Sequence, residues 1–334
     1  MLWKKQYVLG VGSYGPVHLV VPADSSTTSS LKAAVKSAEV ENSSVLRKEG
    51  KILNELKGSP YIVRCFGEDE SVEYGKKTYN LLLEYAPCGT LRDFILLNGG
   101  ILELEVARYA YQLLMGIRHV HSKGFVHCDI KPSNIVVFPG DQLLKIADFG
   151  SALRGTEVAS HEIHVKGQVF DVCSIGCLVV KMLTGDPTWY VEHIEKYRVG
   201  LCGYYSDEFL DNVSEMAKDF VINCLLCDYP GRLLTMDALI HHPFIQNAIA
   251  HENVDHQLII SSVDNSPFGD WVSMHDMFNT SYDDEPKRKA KLEDESKLIN
   301  SLFASKEFMK TDLTKIKEVY FRASSRDQGS RSKE

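Results

Sequence analysis

The sequence has no excess of positive charge and no feature that marks the chain as secreted. Its 37 Lys and Arg stand against 45 Asp and Glu, and the net charge of −8 argues against binding to bulk nucleic acid or an anionic membrane surface. No stretch is expected to be long and apolar enough to cross a membrane. The eight cysteines are scattered and no secretory signal precedes them, so we expect free thiols in a reducing compartment. Leu2 excludes N-myristoylation, and the ending RSKE is not a prenylation box.

The chain does contain a dense group of polar side chains between residues 127 and 150. HCDIKPSN is followed by a short apolar run and then by KIADFG, so Asp129, Lys131, Asn134 and Asp148 lie close in sequence. The segment between Asn134 and Asp148 is typical of a strand, a tight turn and a second strand, which returns Asp148 to the side of Asn134. Oxygen ligands placed this way suit Mg²⁺, which also takes phosphate oxygens. Asp129 is left to orient an attacking hydroxyl.

This pattern resembles the catalytic and metal-binding loops of the eukaryotic protein kinases, which read H-x-D-x-K-x-x-N followed by D-F-G. A solvated polar loop is the alternative, but it would not predict that the family's other motifs occur in the same order. The resemblance implies an α+β, two-lobed protein kinase fold with a small β-rich N-lobe and a large helical C-lobe. Lys131, two positions after Asp129, is the Ser/Thr-kinase form.

A glycine-rich run near the start of the chain lies between two short β-type segments. A lone GxGxxG is weak evidence for any ligand, but a position between two strands favours the kinase type over the dinucleotide type. Glycines let backbone amides approach phosphates closely. By resemblance, the ATP-binding residues here are Leu9, Gly10, Val11, Gly12, Ser13, Tyr14, Gly15 and Val17, with Val17 covering the adenine.

Three further positions complete the expected nucleotide site. Lys36 ends a strand that resembles the family's VAIK motif and would contact the α- and β-phosphates; the alternative is a surface lysine. Residues 44–57 have a helical apolar period, and Glu49 on that helix is our choice for the partner of Lys36, with Glu55 the weaker competitor and a solvated helix face the alternative for both. LLLEYAPCG resembles the hinge between lobes, where backbone groups of Glu84 and Ala86 would bind adenine.

The second lobe is expected to be helical, over residues 103–121 and 171–184 and again around residues 217–225. By resemblance, Asp171 braces the backbone of the catalytic loop. The kinase domain is expected over residues 3–244, with the N-lobe at about 3–86 and the C-lobe at about 87–244. Residues 245–334 form a polar C-terminal tail, partly disordered or with short helices, on which regulatory partners could bind.

Two departures from the family stand out. Cys128 replaces the arginine that normally reads a phosphate on the activation loop, so activation by loop phosphorylation is less expected. The segment from Asp148 to Asp171 spans only 23 positions (171 − 148) and contains no A-P-E, whose glutamate would pair with Arg232. The nucleotide and metal groups are therefore retained, while the surface on which a substrate peptide lies is not. A splice variant or a faulty gene model would give the same sequence.

The closest likeness is to plant mitogen-activated protein kinase kinase kinases, through LLLEYAPCGTL, HCDIKPSN and DFGSA. It implies a serine/threonine kinase that uses ATP and Mg²⁺, phosphorylates a MAP kinase kinase and acts in plant stress signalling. We expect it in the cytoplasm, and also in the nucleus if the basic run at residues 287–291 acts as an import signal. The rival hypothesis is a nucleotide-binding pseudokinase scaffold, or a truncated product that has lost peptide docking.

Overall fold

The computed structural model describes residues 3–12, 15–23, 32–139, 143–155, 161–185, 213–225 and 235–252. All of them belong to one of the two compact units of the chain, residues 1–186 with 208–272. The strands are β1 (Trp3–Gly12), β2 (Gly15–Pro22), β3 (Ala33–Glu39), β4 (Cys65–Glu73), β5 (Lys76–Glu84), β6 (Phe125–Val126), β7 (Ile135–Val137), β8 (Leu144–Ile146) and β9 (Leu153–Arg154). The helices are α1 (Ser44–Glu55), α2 (Leu91–Asn98), α3 (Glu103–Ser122), α4 (His161–Thr184), α5 (Glu215–Leu225), α6 (Met236–Ile240) and α7 (Pro243–Glu252).

The N-terminal part is a five-stranded antiparallel sheet with the strand order β1-β2-β3-β5-β4. The exposed side chains alternate along β4, and Trp3, Val20 and Val35 pack together as a small core. Helix α1 is amphipathic and buries Leu46, Glu49, Gly50, Ile52 and Leu53. Because a sheet with one buried face needs a covering layer, this helix is the element that completes the N-terminal part.

The C-terminal part is built on α3 and α4. The apolar positions predicted for α3 are all nearly or fully buried: Val106, Tyr109, Ala110, Leu113, Leu114, Ile117 and Val120. Gly124 follows the helix with a φ of 77°, the left-handed conformation that glycine adopts without strain. The α+β class and the order of a sheet region followed by a helical region are therefore as predicted.

Helix α4 begins at His161, ten residues (171 − 161) before the predicted start at Asp171. The prediction was wrong there because it started the helix where the resemblance to the family's central helix starts, while residues 161–170 contain no proline that would end the helix earlier. Gly167 serves the packing, since a Cβ at this position would lie 3.0 Å from Cγ2 of Val126 in β6. The absence of a side chain lets the early turns of α4 lie close against β6.

Part of α4, His164–Thr184, is long and apolar enough to cross a membrane, so the prediction that no such stretch exists was wrong. Within this stretch, 67% of the apolar window is buried against the rest of the protein. Core helices pass the same test of length and composition, so the helix is weak support for a membrane span. The six cysteines in the described part of the chain form no disulfide, as expected.

A buried ion pair joins the N-terminal sheet to the C-terminal part that is built on α3 and α4. Lys145 of β8 bonds both carboxylate oxygens of Glu84, which ends β5, at 2.7 and 2.9 Å. The two side chains are only 6% and 1% exposed. The backbone N–H of Arg64 also donates to Glu84, at 3.1 Å. Burial lowers the pKa of Lys145 against the attraction of Glu84, so each charge here depends on the other.

Removing one partner of this pair should cost more than removing both charges. Lys145→Met leaves the Glu84 carboxylate buried and uncompensated, and we expect the free energy of unfolding to fall by about 3–5 kcal/mol. The double variant Lys145→Met/Glu84→Gln keeps an acceptor for the N–H of Arg64 and should recover a large part of that loss. Urea denaturation of the three proteins measures this. A double variant no more stable than Lys145→Met would contradict the account.

Candidate active site

The polar residues predicted to form the catalytic and metal loops are brought together by a hairpin. Strands β7 and β8 pair with Ile135 opposite Ile146, which confirms the two predicted strands; residues 140–142 between them lie outside the described residues. The backbone N–H of Ala147 donates to the carbonyl of Asn134 at 2.8 Å. This bond fixes the segment that carries Asp148 beside Asn134.

Asp129 is held by two neighbours and keeps one oxygen available. Its Oδ2 accepts hydrogen bonds from Nζ of Lys131 and from Nδ2 of Asn134, each at 2.8 Å. Nδ2 of Asn134 also bonds the backbone carbonyl of Asp129, at 2.9 Å. No donor among the described residues bonds Oδ1 of Asp129, and the side chain is 32% exposed. A positioned carboxylate with one open oxygen can accept the proton of a substrate hydroxyl.

Lys36 lies between two carboxylates. Its Nζ is 2.7 Å from Oε1 of Glu49 and 3.1 Å from Oδ1 of Asp148. Burial alone would lower the pKa of Lys36, but the two carboxylates outweigh it and raise the pKa above its usual value. The ammonium therefore stays charged inside the cleft. The partner of Lys36 is Glu49, as predicted, while the competitor Glu55 pairs with Arg154.

The protein shifts the pKa values of the two carboxylates in opposite directions. Burial raises the pKa of Glu49, whose side chain is fully buried, against the attraction of Lys36. For Asp148 burial acts in the same sense, but Lys36 outweighs it and holds the pKa of Asp148 below its ordinary value. Asp148 therefore stays ionised, and its side chain is 21% exposed.

Asp171 braces the backbone of the catalytic loop. Its buried carboxylate accepts the N–H of His127 and the N–H of Cys128, both at 2.8 Å. Cys128 has a φ of 64°, an uncommon conformation for a residue with a side chain, and these bonds help to hold it there. Burial, followed by the charges of Asp171 and Asp129, raises the pKa of the Cys128 thiol, so the group stays neutral and cannot bind phosphate as an arginine would.

The contacts that two histidines make with this loop were not predicted from the sequence. His121 on α3 bonds Asp171 through Nε2 at 2.9 Å, fifty residues away in sequence (171 − 121). His127 donates from Nε2 to the carbonyl of Ala147 at 3.1 Å and accepts at Nδ1 from the N–H of Asp129 at 3.2 Å. Its ring packs edge-on against Phe149 at 4.7 Å. His127 thus ties Asp129 to the segment that carries Asp148.

The glycine loop closes where Gly12 pairs with Gly15. Gly15 has a φ of 129°, and a Cβ there would lie 3.0 Å from the carbonyl of Ser37, so the position requires glycine. Val17 pairs with Gly10 on one side and Lys36 on the other, which places it between the loop and the ammonium. The exposed side chains of the loop include Leu9 and Val11; Ser13 and Tyr14 lie outside the described residues.

The hinge residues offer a defined set of backbone groups. The N–H of Glu84 donates to the carbonyl of Arg64 at 2.9 Å, and the carbonyl of Ala86 accepts from Gly89 at 3.3 Å. Among the described residues, no hydrogen bond uses the N–H of Ala86. Leu83, which precedes Glu84 at the start of the hinge, is 4% exposed.

Asn134 and Asp148 fit a magnesium ion. Asp129 uses only the amide nitrogen of Asn134, so the Oδ1 of Asn134 is left as a ligand, and Asp148 has its Oδ2 left after bonding Lys36 through Oδ1. Within the described ranges, no three His, Cys, Asp or Glu side chains cluster as a metal site. One carboxylate and one amide, completed by phosphate oxygens and water, is the donor set that Mg²⁺ accepts in nucleotide sites.

The segment after Asp148 is short in the structure as well. Strand β9 ends at Arg154, and α4 begins at His161. Arg154 lies 4.5 Å over the ring of Phe125 and pairs with Glu55 of α1. The guanidinium of Arg154 is thus paired with the carboxylate of Glu55 within the protein. Arg232, the predicted partner of the missing A-P-E glutamate, and the basic run at 287–291 lie outside the described residues.

Comparison with known proteins agrees with this geometry. The family described as "Protein kinase domain" matches residues 3–245. Mitogen-activated protein kinase kinase kinase 18 of Arabidopsis thaliana is 37% identical over 295 residues, 80% of this chain and 82% of that protein. Mitogen-activated protein kinase kinase kinase 17 of the same plant is 36% identical over 294 residues, 80% of this chain and 75% of that protein. Mitogen-activated protein kinase kinase kinase 20 is 31% identical over 327 residues, 87% of this chain and 95% of that protein.

Replacing the bracing carboxylate should loosen the catalytic loop. In Asp171→Asn, one of the two oxygens becomes an NH₂ group that faces an N–H donor, so at least one of the two backbone bonds is lost. We expect the free energy of unfolding to fall by about 1.5–3 kcal/mol, the range for a hydrogen bond to a charged group. Thermal and urea unfolding measure the loss. The control is Asp69→Asn on β4; equal stability of the two variants would refute the bracing role.

Proposed function

The chain belongs to the protein kinase domain family and resembles the plant MAP kinase kinase kinases, and from this premise we propose that it transfers the γ-phosphoryl group of Mg-ATP to a serine or threonine of a MAP kinase kinase. The observation that carries the proposal is the bond of the Lys36 ammonium to both Glu49 and Asp148. A solvated surface lysine would have no reason to lie between a fully buried and a partly buried carboxylate. The arrangement suits a cation that must neutralise phosphate oxygens inside a cleft.

The proposed roles follow from the contacts in the cleft. Lys36, oriented by Glu49, would bind the α- and β-phosphates, while the backbone amides of the glycine loop cover them. Ala86 would donate its N–H to the adenine ring, and the carbonyl of Glu84 would accept from the ring's amino group. Asn134 and Asp148 would hold the magnesium ion. When bound, Mg²⁺ would supply positive charge that neutralises the charge developing on the phosphate during transfer.

Asp129 would orient the hydroxyl of the substrate. Its Oδ2 is held by Lys131 and Asn134, so the open Oδ1 is the atom that accepts the hydroxyl proton. Lys131 lies within reach of Asp129 and would also stabilise the transferring group. Phosphoryl transfer needs little covalent chemistry from a protein, so these residues act by position and charge. The activity is proposed for the cytoplasm, with nuclear entry through residues 287–291.

A second candidate is a nucleotide-binding scaffold without transferase activity. The start of α4 at His161, only seven residues after Arg154 (161 − 154), favours it, because the family's peptide-docking motif has no counterpart in the sequence between them. Both candidates bind ATP, so nucleotide binding does not separate them. Only transfer to a protein substrate does.

The test is transfer of labelled phosphate from Mg-ATP to a kinase-inactive MAP kinase kinase by the full chain. Wild type should phosphorylate it on serine or threonine, and Lys36→Met should lose the activity because the phosphates are no longer held. Asp148→Asn, which lacks the ionised metal ligand, should be inactive as well. Lys76→Met, which removes an exposed lysine that pairs with Glu39 outside the phosphate site, is the matched control and should remain active.

The opposite result would have a definite meaning. If wild type binds Mg-ATP but labels the substrate no faster than Lys36→Met does, transfer is refuted and the scaffold reading stands. Rescue of signalling in plant cells by Lys36→Met, as effective as by the wild type, would lead to the same conclusion.

A further inference from the structure

The two outer strands of the N-terminal sheet approach each other. In the strand order β1-β2-β3-β5-β4, β1 and β4 lie at opposite ends. Even so, Nζ of Lys5 on β1 bonds both carboxylate oxygens of Glu73 on β4 at 2.8 Å. The sheet is therefore curled, and a cavity of about 650 Å³ remains between its two edges. We call this cavity the edge slot; it is lined by Trp3, Leu82 and the seven β4 residues 66–72.

The wall of the edge slot is the free edge of a strand. Within the described part of the chain, β4 pairs with β5 only, so its other edge presents backbone N–H and C=O groups without strand partners. Such an edge accepts an extended peptide as an additional strand, and the backbone bonds supply much of the affinity. A lining made of seven consecutive residues of one strand fits a ligand that runs along the strand.

The β4 side chains on the α1 side of the sheet, opposite the side that carries Trp3 and Leu82, give this edge a definite chemistry for an added strand. Alternate residues are exposed, and they read Phe66, Glu68, Glu70 and Val72. Phe66 and Val72 are 45% and 70% exposed, large values for apolar side chains on a strand. Glu70 pairs with Arg47 yet its side chain remains 53% exposed, and Glu68 accepts the hydroxyl of Tyr79. Two carboxylates thus lie between two apolar side chains along one line.

We propose that the edge slot binds an extended basic segment of a partner protein, added as a strand to β4. Its side chains would place Lys or Arg opposite Glu68 and Glu70, and apolar residues opposite Phe66 and Val72. Directly opposite residues on neighbouring strands interact, and pairs of opposite charge and apolar pairs both stabilise the contact. This binding surface is separate from the proposed nucleotide cleft and does not depend on transferase activity.

A second copy of this chain is a poor occupant of the same slot. If two β4 strands paired antiparallel about a two-fold axis between positions 68 and 70, each Glu68 would face the Glu70 of the other copy. Like charges directly opposite each other destabilise strand pairing. The acidic residues therefore select against self-association and in favour of a basic partner.

The test uses a fluorescein-labelled peptide, acetyl-Val-Thr-Lys-Thr-Lys-Thr-Val-amide, and the full chain. The peptide reads the same in both directions, so a parallel and an antiparallel strand present the same side chains. Fluorescence anisotropy should show saturable binding that weakens as salt is added, because the ion pairs are partly exposed. The matched peptide with Glu in place of both Lys residues should bind at least about tenfold more weakly.

Two protein variants locate the contact. Val72→Lys puts a positive charge on the side-chain row of Glu68 and Glu70 in place of an apolar contact, and we expect peptide affinity to fall about tenfold. Tyr74→Lys makes the same kind of change at a fully exposed turn residue outside the slot lining, and should bind as the wild type does. Thermal unfolding of both variants checks that the fold is retained.

Three results would overturn the proposal. One is absence of binding by the wild type, which would mean that the carboxylates only protect the edge from pairing. Another is equal binding of the Lys and Glu peptides, which would remove the charge argument. The last is equal loss in Val72→Lys and Tyr74→Lys. If Val72→Lys instead disrupts the fold, the two-peptide comparison on the wild type still decides the matter.

Discussion

The ammonium of Lys36 is the group on which the arrangement of the cleft depends. It is carried by β3, while its two partners, Glu49 and Asp148, come from α1 and from the segment after β8. One cation therefore fixes a strand, a helix and a loop relative to each other. Neither carboxylate would remain in so buried a place without it, because an unpaired buried charge is costly. In the catalytic loop, the carboxylate of Asp171 has a similar role, because it holds the strained backbone of Cys128.

The segment after Asp148 is shorter than the family's, and the bonds of Lys36 to Glu49 and Asp148 are nevertheless present. Helix α4 extends to His161 and packs its Gly167 against β6. Arg154 bonds Glu55 on α1, and the neutral thiol of Cys128 stands where the family has an arginine. The segment after Asp148 is thus joined to α1 by an ion pair of the protein itself. Residue 128 carries no cation that could bind a phosphate. In such a chain, nucleotide binding does not require the peptide-docking surface. The missing A-P-E motif affects the docking surface and leaves the nucleotide-binding residues in place.

Much of the upper cleft could be predicted because its residues lie in short motifs with fixed local geometry. The predicted hairpin placed Asp148 beside Asn134 from sequence alone, and the resemblance of LRKEGKIL to the family's helix identified Glu49 ahead of Glu55. The contacts that were missed join distant residues through tertiary packing. Lys145 meets Glu84 across 61 positions and His121 meets Asp171 across fifty, and no periodicity signals either pair. The start of α4 was missed because the resemblance covered only its later part, and local propensity gave no sign of where the helix begins.

The central claim is that the Lys36 network forms a site for Mg-ATP that is complete without the family's longer segment. The most direct measurement is isothermal titration of the full chain with ATP in excess Mg²⁺ and again in EDTA, beside the variant Glu49→Gln. The account predicts saturable, magnesium-dependent binding at one site, weakened in Glu49→Gln because Lys36 loses its charged partner. Absence of binding by the wild type, or binding unaffected by both Mg²⁺ and the Glu49→Gln change, would contradict it.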